Sequence, residues 1–370
     1  MSKNKRIDVL YRVAGDAATI AARAKGIAVE QSIEMPVDAV DSSYVLDEIV
    51  GEVREITDRR DGSFDVRIGL ALETTGLRAG QLLNMLFGNS SLQTDVRLID
   101  AVLPDELIRS VGGPNIGLEG LRSRLGAGRR ALTCSALKPQ GLPSKDLAKL
   151  AGRLADGGID LIKDDHGIAD QAYSPFAERV PAVAGAVAAA VAKTGVPTRY
   201  LPSLCGTLDD MRAQIAVARA AGVDCALIAP MIVGVDNFVA LKQDNPDFAF
   251  MTHPSFGGAV RIAPAFHFGT LFTAFGADAV VFPNYGGRFG YTKEECLDLA
   301  GRAVGGAGGL IRSAVPVPAG GMTLNRIPEL LEFYGLDVIL LIGGALLAAR
   351  ENIPQETATF VDAVRSRETS

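Results

Sequence analysis

Short apolar runs alternate with helix-like stretches from Arg130 to the C-terminus, and this alternation constrains the fold more than any other feature. An apolar run followed by a helical period is typical of a β-α unit. Eight such units in about 240 residues match the number and length of a (β/α)8 barrel. The predicted strands are Ala131–Leu137, Ile159–Ile162, Arg199–Leu204, Cys225–Ala229, Phe248–Thr252, Ala279–Phe282, Val315–Val317 and Val338–Ile342.

Helices are predicted after the strands, for example at Ser144–Leu154, Leu208–Ala221, Ile262–Phe275 and Lys293–Val304. An open, doubly wound sheet is the alternative arrangement of such units. Because no Gly-x-Gly-x-x-Gly sequence follows the first strand, we favour the barrel. The sequence therefore predicts a barrel domain over residues 126–370.

Residues 1–125 follow a different pattern, with strands and helices in the order β-α-β-β-α-β of a ferredoxin-like domain. Two predicted strands, Glu48–Thr57 and Ser63–Leu72, flank a turn at Asp58–Gly62 that contains an Asp-Gly hairpin signal. We expect Pro104–Leu125 to be a connector. The predicted fold class is α/β, with a ferredoxin-like α+β domain at 1–125 before the barrel.

The net charge of −6 over 370 residues argues against nucleic acid or an anionic membrane as a partner. The four cysteines form no Cys-x-x-Cys pair, so we expect free, mostly buried thiols in a reducing cytoplasm. The N-terminal residues lack the apolar segment of a signal peptide. The most apolar runs, Ala182–Ala192 and Val338–Ala349, are about half of the ~20 residues that a transmembrane helix needs. We therefore predict a cytoplasmic protein.

Residues at the carboxyl ends of the barrel strands are the candidates for function, because active sites of such barrels lie there. They include two of the chain's three histidines, two lysines, an acid and two glycine pairs. In strand order they are Lys138; Lys163, Asp165 and His166; Ser203; His253; Asn284 with the loop Tyr285–Gly290; Gly320 and Gly321; and Gly343 and Gly344. This concentration of ionisable groups at one face predicts a functional site.

The second strand ends in the run Lys163-Asp164-Asp165-His166, which is costly to bury unless something uses its charges. A carboxylate next to an imidazole, with a lysine nearby, is a plausible ligand set for a divalent cation. The alternative is a strand that leaves the sheet in a solvated turn. His253, at the end of the fifth strand, is a second catalytic candidate or a satisfied core histidine.

The remaining strand-end groups each have a functional and a structural interpretation. The pairs Gly320-Gly321 and Gly343-Gly344 would let backbone N–H groups approach a phosphate, or they form ordinary tight turns. Lys138 would serve in acid–base chemistry, or it binds an anion from the rim. The loop Gly286–Gly290 is predicted to be a lid on which Arg288 binds a phosphate or carboxylate, or it is a plain surface loop.

These strand-end residues, in this order, resemble the large subunit of RuBisCO. The segment from Gly157 to Asp165, Gly-Gly-Ile-Asp-Leu-Ile-Lys-Asp-Asp, is similar to that family's metal motif, normally Gly-Gly-x-Asp-x-x-Lys-x-Asp-Glu. In the family the lysine reacts with CO2, and the resulting carbamate binds Mg2+ together with the Asp and the Glu. The resemblance implies that Lys163 is a carbamylated ligand and Asp165 a second ligand, with Mn2+ as the alternative metal. His166 stands in place of the Glu, either as a third ligand or as a proton carrier.

The resemblance extends over nearly the whole chain. Lys138, in Lys-Pro-Gln-Gly-Leu, corresponds to the family's first active-site lysine. Asn89, in Phe-Gly-Asn-Ser, and Glu30, in Ala-Val-Glu-Gln-Ser, resemble groups that complete the site of a neighbouring subunit. Ala-Gly-Gly-Met at 319–322 and Ile-Gly-Gly-Ala at 342–345 resemble glycine loops that include a phosphate site. The resemblance therefore implies a homodimer or higher oligomer with shared active sites.

The departures from the family pattern concern groups that a carboxylase needs. Gln140 replaces the second lysine of the first-strand motif, and Pro254 stands where the family has the arginine for a second phosphate. Ala279-Val280-Val281 replaces a His-x-His sequence, Arg288 replaces the mobile lid lysine, and Ala319 replaces a serine. The chain is identified as a RuBisCO-like member that fixes no CO2 but keeps enolate chemistry and one phosphate site.

Metal-assisted enolate chemistry on an acyclic sugar monophosphate is the function that the resemblance implies. We favour a lyase that decarboxylates a 3-oxo sugar-acid phosphate such as 3-oxo-isoapionate 4-phosphate, or that performs the related transcarboxylation or hydrolysis. Arg288 and Lys138 would then hold the substrate carboxylate. The alternatives are an isomerase of 5-methylthioribulose 1-phosphate and an enolase of methionine salvage. A further alternative is a barrel that binds a sugar phosphate without turnover.

Overall fold

The computed structural model describes residues 5–366, which form two compact units. One unit contains residues 5–112 together with Phe256–His267, and the other contains Gly113–Ser255 together with residues 268–366. Each unit has its own β-sheet. Within residues 5–366, no helix is both long enough and apolar enough to cross a membrane.

The first unit has the order β-α-β-β-α-β that the sequence predicts. Its elements are strand β1 Arg6–Ala14, a helix at Ile20–Glu30, strands β2 Glu52–Asp58 and β3 Ser63–Ala71, a helix at Ala79–Phe87, and strand β4 Val96–Val102. The antiparallel order β2-β3-β1-β4 is the ferredoxin-like arrangement, so this part of the fold prediction is confirmed. Alternate β1 residues, such as Val9 and Tyr11, are fully buried, as expected for a sheet with one face in the core.

The sequence predicts a connector at Pro104–Leu125 and no helices within it. The segment forms two helices, Asp105–Val111 and Gly117–Leu125. Both end at a glycine with a left-handed backbone, Gly112 with φ of 87° and Gly126 with φ of 59°. Glycine adopts this conformation without steric cost and commonly ends helices. Helices of 7 and 9 residues are too short for their periodicity to stand out in the sequence.

The second unit contains parallel strands that form a nearly closed barrel. They are β5 Leu132–Leu137, β6 Leu161–Asp164, β7 Arg199–Leu201, β8 Ser203–Leu204, β9 Cys225–Ile228, β10 Ala249–Thr252, β11 Ala279–Pro283, β12 Val315–Ala319 and β13 Ile339–Leu341. Their order across the sheet is β7-β6-β5-β13-β12-β11-β10-β9-β8. Strands β7 and β8 are halves of one predicted strand, separated by Pro202, which has no N–H to donate. Because β7 pairs with β6 and β8 with β9, the predicted barrel fold is confirmed.

The helices that follow the strands agree with the predicted ones, with one difference in hydrogen bonding. Residues Ala265–Phe272 form a π-helix rather than the first part of an α-helix. Capping boxes at Thr207 and Thr292 begin two of the helices. The helices are Ser144–Asp156, Phe176–Thr194, Leu208–Ala220, Pro230–Val233, Val235–Asp244, Thr273–Phe275, Lys293–Val304, Gly306–Gly309, Ile327–Tyr334, Gly344–Leu347 and Ile353–Arg365.

Apolar side chains from the barrel strands fill the barrel interior. They include Leu132, Cys134, Leu161, Leu201, Leu227, Met251, Val281, Val317 and Ile339, all of them buried. Side chains alternate along a strand, so Lys163, two residues after Leu161, faces the same interior one layer higher. His253 has the same relation to Met251. The fold therefore places polar side chains above an apolar core, at the carboxyl ends of the strands.

Candidate active site

Five predicted site residues come together at the carboxyl ends of β5, β6 and β10. Asp165 is central, because Lys138 Nζ lies 2.7 Å from its Oδ1 and His166 Nδ1 lies 3.4 Å from the same oxygen. The ring of His166 stacks on the ring of His253, with centroids 4.3 Å apart and planes 8° from parallel. Lys163, two residues before Asp165, is only 3% exposed. These contacts form a compact group of ionisable side chains.

Asp165 is held in its ionised form by its neighbours. Burial alone would raise the pKa of Asp165, but the hydrogen bonds from His166 and Lys138 outweigh that effect. The pKa of Asp165 therefore falls well below its usual value. A carboxylate in this state is available at neutral pH as a ligand for a cation or as a partner for a polar substrate.

Lys163 is held in an environment that disfavours its ammonium form. Burial lowers the pKa of Lys163 below its usual value, and the neighbouring charges do not restore it. Its Nζ donates a hydrogen bond to the main-chain oxygen of Asp164 at 2.9 Å. A lysine that gives up its proton becomes a nucleophilic amine, which is the form needed for carbamate formation or for work as a base.

The imidazole of His253 is anchored at the end of β10 by two contacts to Ser255. Nδ1 lies 2.7 Å from Ser255 Oγ and accepts a hydrogen bond from the Ser255 main-chain N–H at 3.2 Å. Burial is the main cause that lowers the pKa of His253 to about 2, and the nearby Lys163 is the next. His253 is therefore neutral throughout the physiological pH range.

Asp164 differs from its neighbour Asp165 because it serves the fold. Its side chain is fully buried and accepts hydrogen bonds from Arg179 Nε at 3.1 Å, Tyr200 Oη at 2.8 Å and the Ser203 main-chain N–H at 3.0 Å. These contacts tie the end of β6 to β7 and β8. They fix the backbone from which the flanking side chains, at positions 163 and 165, face the barrel interior.

The predicted glycine turn after β12 is tightly packed. Gly320 and Gly321 have left-handed φ values of 90° and 70°, which suit glycine. A β-carbon at Gly287 would lie 2.8 Å from the main-chain oxygen of Gly320. The loops after β11 and β12 therefore pack backbone against backbone, and this contact requires glycine at position 287.

The loop after β13 lies beside the first active-site lysine. A β-carbon at Gly343 would lie 4.0 Å from Lys138 Cε. The short helix Gly344–Leu347 begins at this point, so its first N–H groups have no intrahelical partner. Gly343 and Gly344 therefore leave main-chain N–H groups accessible near the positive charge of Lys138.

Arg288 is held by an aromatic ring in the loop after β11. Its guanidinium carbon lies 5.0 Å from the ring centroid of Phe289, a cation–π arrangement. The Phe289 side chain is 57% exposed, and its ring would lie 3.8 Å from a β-carbon at Gly320. The predicted lid loop thus places a ring over the glycine turn, with Arg288 on that ring.

Asn89 and Glu30 lie in the other compact unit and contact each other. Asn89 Nδ2 donates to Glu30 Oε1 at 2.9 Å and also to Glu34 Oε1. Glu34 has a left-handed backbone, with φ of 53°. The structure therefore joins the two residues singled out in the sequence and adds a second carboxylate.

Three features of this arrangement are missing from the sequence prediction. They are the contact of Ser255 with His253, the contact of Glu34 with Asn89, and the position of Gln140. The side chain of Gln140 lies against Gly167, because a β-carbon added at Gly167 would be 1.6 Å from Gln140 Nε2. A glycine directly after a polar run was the available signal for such a close approach.

Comparison with known proteins decides the family. Residues 117–261 match the family described as "Ribulose bisphosphate carboxylase large chain, catalytic domain". Over 360 residues the chain is 58% identical to the 5-methylthioribulose-1-phosphate isomerase of Rhodospirillum rubrum, which covers 97% of this chain and 96% of that protein. The chain belongs to the RuBisCO large-chain family.

Two further similarities place the chain within that family. A RuBisCO-like protein from Rhodopseudomonas palustris has a solved structure with a TM-score of 0.93, 48% identity and full coverage of both chains. The 2,3-diketo-5-methylthiopentyl-1-phosphate enolase of Geobacillus kaustophilus is 34% identical over 275 residues, which is 72% of this chain and 66% of that protein. These similar proteins are RuBisCO-like proteins and not carboxylases, so the predicted resemblance is confirmed.

By the predicted correspondence with the family motif, Ala279 and Val281 stand where that motif has two histidines. Ala279 and Val281 are buried in the apolar barrel interior. Within residues 5–366, no group of three or more histidine, cysteine, aspartate and glutamate side chains is arranged to hold a metal ion.

Proposed function

We propose that this RuBisCO-like chain isomerises an acyclic ketose monophosphate, 5-methylthioribulose 1-phosphate or a closely similar sugar, through an enediolate. The observation that carries the proposal is the group of Lys138, Lys163, Asp165, His166 and His253 above the apolar core. The isomerase name of a relative with 58% identity over nearly the whole of both chains supports it.

Decarboxylation of 3-oxo-isoapionate 4-phosphate, which we favour from the sequence alone, is less well supported. The relatives from Rhodospirillum rubrum and Geobacillus kaustophilus are named as an isomerase and an enolase. Arg288, which would hold the carboxylate in that interpretation, lies on the ring of Phe289. We therefore take the isomerase, an alternative in the sequence analysis, as the main function.

We assign the substrate phosphate to the glycine turns at Gly320-Gly321 and Gly343-Gly344. Glycine allows backbone N–H groups to approach an anion, and Lys138 beside Gly343 adds a positive charge. Pro254 stands where RuBisCO has the arginine for a second phosphate, so we propose that one phosphate is bound. For the same reason we expect no CO2 fixation onto ribulose 1,5-bisphosphate; labelled bicarbonate recovered in phosphoglycerate would contradict this.

Mg2+ is the metal that the family implies, with Mn2+ as the alternative. The residues at the end of β6 fit it if Lys163 is a carbamate, because an ammonium has no lone pair and repels a cation. The lowered pKa of Lys163 favours the neutral amine from which a carbamate forms. Lys163 and Asp165 would then hold the ion, with His166 either beside them or free to carry protons. When bound, the metal would polarise the ketone and stabilise negative charge on its oxygen.

The proton transfer between carbon atoms in the isomerisation is assigned to His166. His166 removes a proton from the carbon beside the ketone, and the electron pair of that C–H bond forms the double bond of the enediolate. The proton returns to the former carbonyl carbon. The hydroxyl proton of the neighbouring carbon moves to the former carbonyl oxygen, so that this neighbouring carbon becomes the ketone. The carbonyl group moves by one carbon, and no external oxidant or reductant is needed.

An enolase is the second candidate, because it requires the same first proton removal. The relative from Geobacillus kaustophilus carries this name and is 34% identical. The two functions differ in the substrate, since the enolase relative is named for a diketone phosphate and the isomerase relative for a ketose phosphate.

We further propose that two or more copies of the chain assemble with shared active sites. Asn89 and Glu30 are the groups that would complete the site of the partner subunit. Their mutual hydrogen bond at 2.9 Å would hold them in a fixed arrangement.

The test is turnover in deuterated water with 5-methylthioribulose 1-phosphate, followed by NMR of the sugar. We expect one deuterium on the carbon chain and a product whose ketone has moved. Lys163→Ala should abolish both, whereas Lys149→Ala, at an exposed position, should abolish neither. Absence of deuterium and product from all sugar monophosphates tested would instead indicate a binding protein, and release of CO2 from a 3-oxo sugar-acid phosphate would indicate the lyase.

A further inference from the structure

The turn that follows β10 brings a serine onto the ring of His253. The main-chain N–H of His253 donates to the Ile228 oxygen at 2.8 Å, which fixes the start of the turn. Pro254 comes next and has no N–H. The main-chain N–H of Ser255 is therefore the next donor along the chain, and it is directed at His253 Nδ1 at 3.2 Å. The Ser255 hydroxyl oxygen lies 2.7 Å from the same nitrogen.

These two contacts determine which ring nitrogen carries the proton. A main-chain N–H can only donate, so Nδ1 of His253 must present a lone pair to it. A neutral imidazole carries its one proton on the other nitrogen, which here is Nε2. The hydroxyl of Ser255 then also donates to Nδ1, and both contacts favour the same tautomer.

The stacked ring of His166 restricts the orientation of this imidazole. The two planes are 8° from parallel and 4.3 Å apart, so one face of His253 is covered. With Nδ1 occupied by Ser255 and one face covered by His166, the Nε2 edge is the polar position left for another group.

We propose that Ser255 is a positioning residue that holds His253 as a hydrogen-bond donor through Nε2. His253 then donates to a substrate oxygen and does not remove a proton. This inference rests on the proposed function for the identity of the substrate, but the tautomer itself is a property of the free protein. It separates the roles of two adjacent histidines: His253 polarises the oxygen, and His166 transfers the proton.

The tautomer can be read directly, because the chain has only three histidines. The full-length protein is labelled with 15N-histidine and kept with Mg2+ and bicarbonate, and long-range 15N–1H correlation spectra are recorded. His166→Gln, His253→Gln and His267→Gln variants assign the three rings. We expect His253 to show a protonated Nε2 and an unprotonated Nδ1 at neutral pH. A protonated Nδ1 on His253 overturns the proposal without any substrate being involved.

The contribution of Ser255 is measured with matched variants. Ser255→Ala should move the His253 Nδ1 resonance downfield and lower kcat roughly fivefold, the effect of one neutral hydrogen bond, with KM little changed. Ser255→Thr keeps the hydroxyl and should restore both the resonance and kcat. Ser123→Ala, at an exposed position, is the control that should change neither.

Failure of this inference is distinguishable from failure of the proposed function. If the proposed function is wrong, the wild-type protein does not isomerise the sugar, and the spectra still report the tautomer. If the inference is wrong, an active enzyme shows an unmoved Nδ1 resonance or an unchanged kcat in Ser255→Ala.

Discussion

Strand β6 has an ion pair at each end, and the two pairs differ in how completely they are satisfied. Just before the strand, Asp160 is fully buried and its two oxygens accept from Arg130 at 2.7 and 2.6 Å. At the other end, Asp165 contacts Lys138 and His166, whose side chains are 38% and 47% exposed.

The difference shows which charges can change partners. A buried carboxylate whose oxygens are all used is costly to separate from its partner, so it serves the fold. A carboxylate with exposed partners can exchange them for a metal ion or a substrate. Both ends of β6 carry a charged pair, but only at the Asp160 end are the carboxylate oxygens fully used by buried partners. This difference distinguishes the structural end of the strand from the functional end at Asp165.

The largest effect is expected at the functional end. Lys163→Met removes the amine but keeps a side chain of similar length, and it should lower kcat by at least about ten-thousandfold, the upper range for a group that acts in proton transfer or binds the metal. The melting temperature should not fall, because the variant no longer buries a titratable amine. Steady-state kinetics and a thermal melt measure the two quantities, with Lys149→Met as the control. A variant that keeps more than a tenth of the wild-type rate would contradict the assignment.

The next effect is expected at the structural end and should appear in stability. Asp160→Asn leaves Arg130 buried without its counter-charge, so the free energy of unfolding should fall by about 3–5 kcal/mol. Urea denaturation measures this loss, and kcat of the folded protein should change little. Asp209→Asn, in the exposed pair with Arg212 at 3.2 Å, is the matched control and should not be measurably destabilised. Equal effects of the two substitutions would remove the distinction between the ends of β6.

The positions of the barrel strands could be predicted because parallel strands are buried on both faces and appear as continuous apolar runs. The alternation along β6 also places Lys163 and Asp165 on the inner face and Asp164 on the outer one. The partners of these groups could not be predicted. Ser255 reaches His253 through a turn in which Phe256 has a left-handed φ of 65°, and no sequence pattern indicates this for a phenylalanine.

The short helices between residues 105 and 125 were also beyond the sequence prediction. Gly112 and Gly126 mark their ends, but the intervening glycines lower the helical propensity of the same stretch. Gln140 on Gly167 is a contact across a loop, whose geometry depends on the folded barrel. Local patterns therefore predicted the elements and their order, whereas contacts between loops required the structure.

A smaller effect is expected at His166, which is the more exposed partner of Asp165. His166→Ala should lower kcat by about a hundredfold, the lower range for a general base, because water can replace an exposed imidazole in part. The affinity for Mg2+, measured by calorimetry, should change little if His166 carries protons. His166→Glu should tighten Mg2+ binding, since it adds a negative charge, and should still lower kcat.

Two results would change this assignment of His166. Loss of Mg2+ binding in His166→Ala would make the imidazole a metal ligand, with Asp165→Asn as the reference for a lost ligand. Full turnover in the presence of EDTA, with no metal in the active protein, would show that the reaction does not use a metal. The ionised carboxylate of Asp165 would then bind Lys138 and the substrate.

The smallest effect in absolute rate is expected from mixing two inactive chains. Asn89 forms an exposed cluster with Glu30 and Glu34, as Asp165 does with its exposed partners Lys138 and His166. We expect the Asn89 cluster to complete a site on a partner subunit. In a two-fold symmetric dimer each site would take Lys163 from one chain and Asn89 from the other. A Lys163→Met chain mixed with an equal amount of an Asn89→Ala chain would then form hybrid dimers in which one of the two sites is intact. Random exchange makes half of the dimers hybrid, so the activity recovered should be about a quarter of the wild-type value.

Activity is measured after subunit exchange, with light scattering to confirm the dimer and two Lys163→Met preparations mixed as the control. No recovery in a mixture that contains hybrid dimers, or a fully active wild-type monomer, would show that each site is built from one chain.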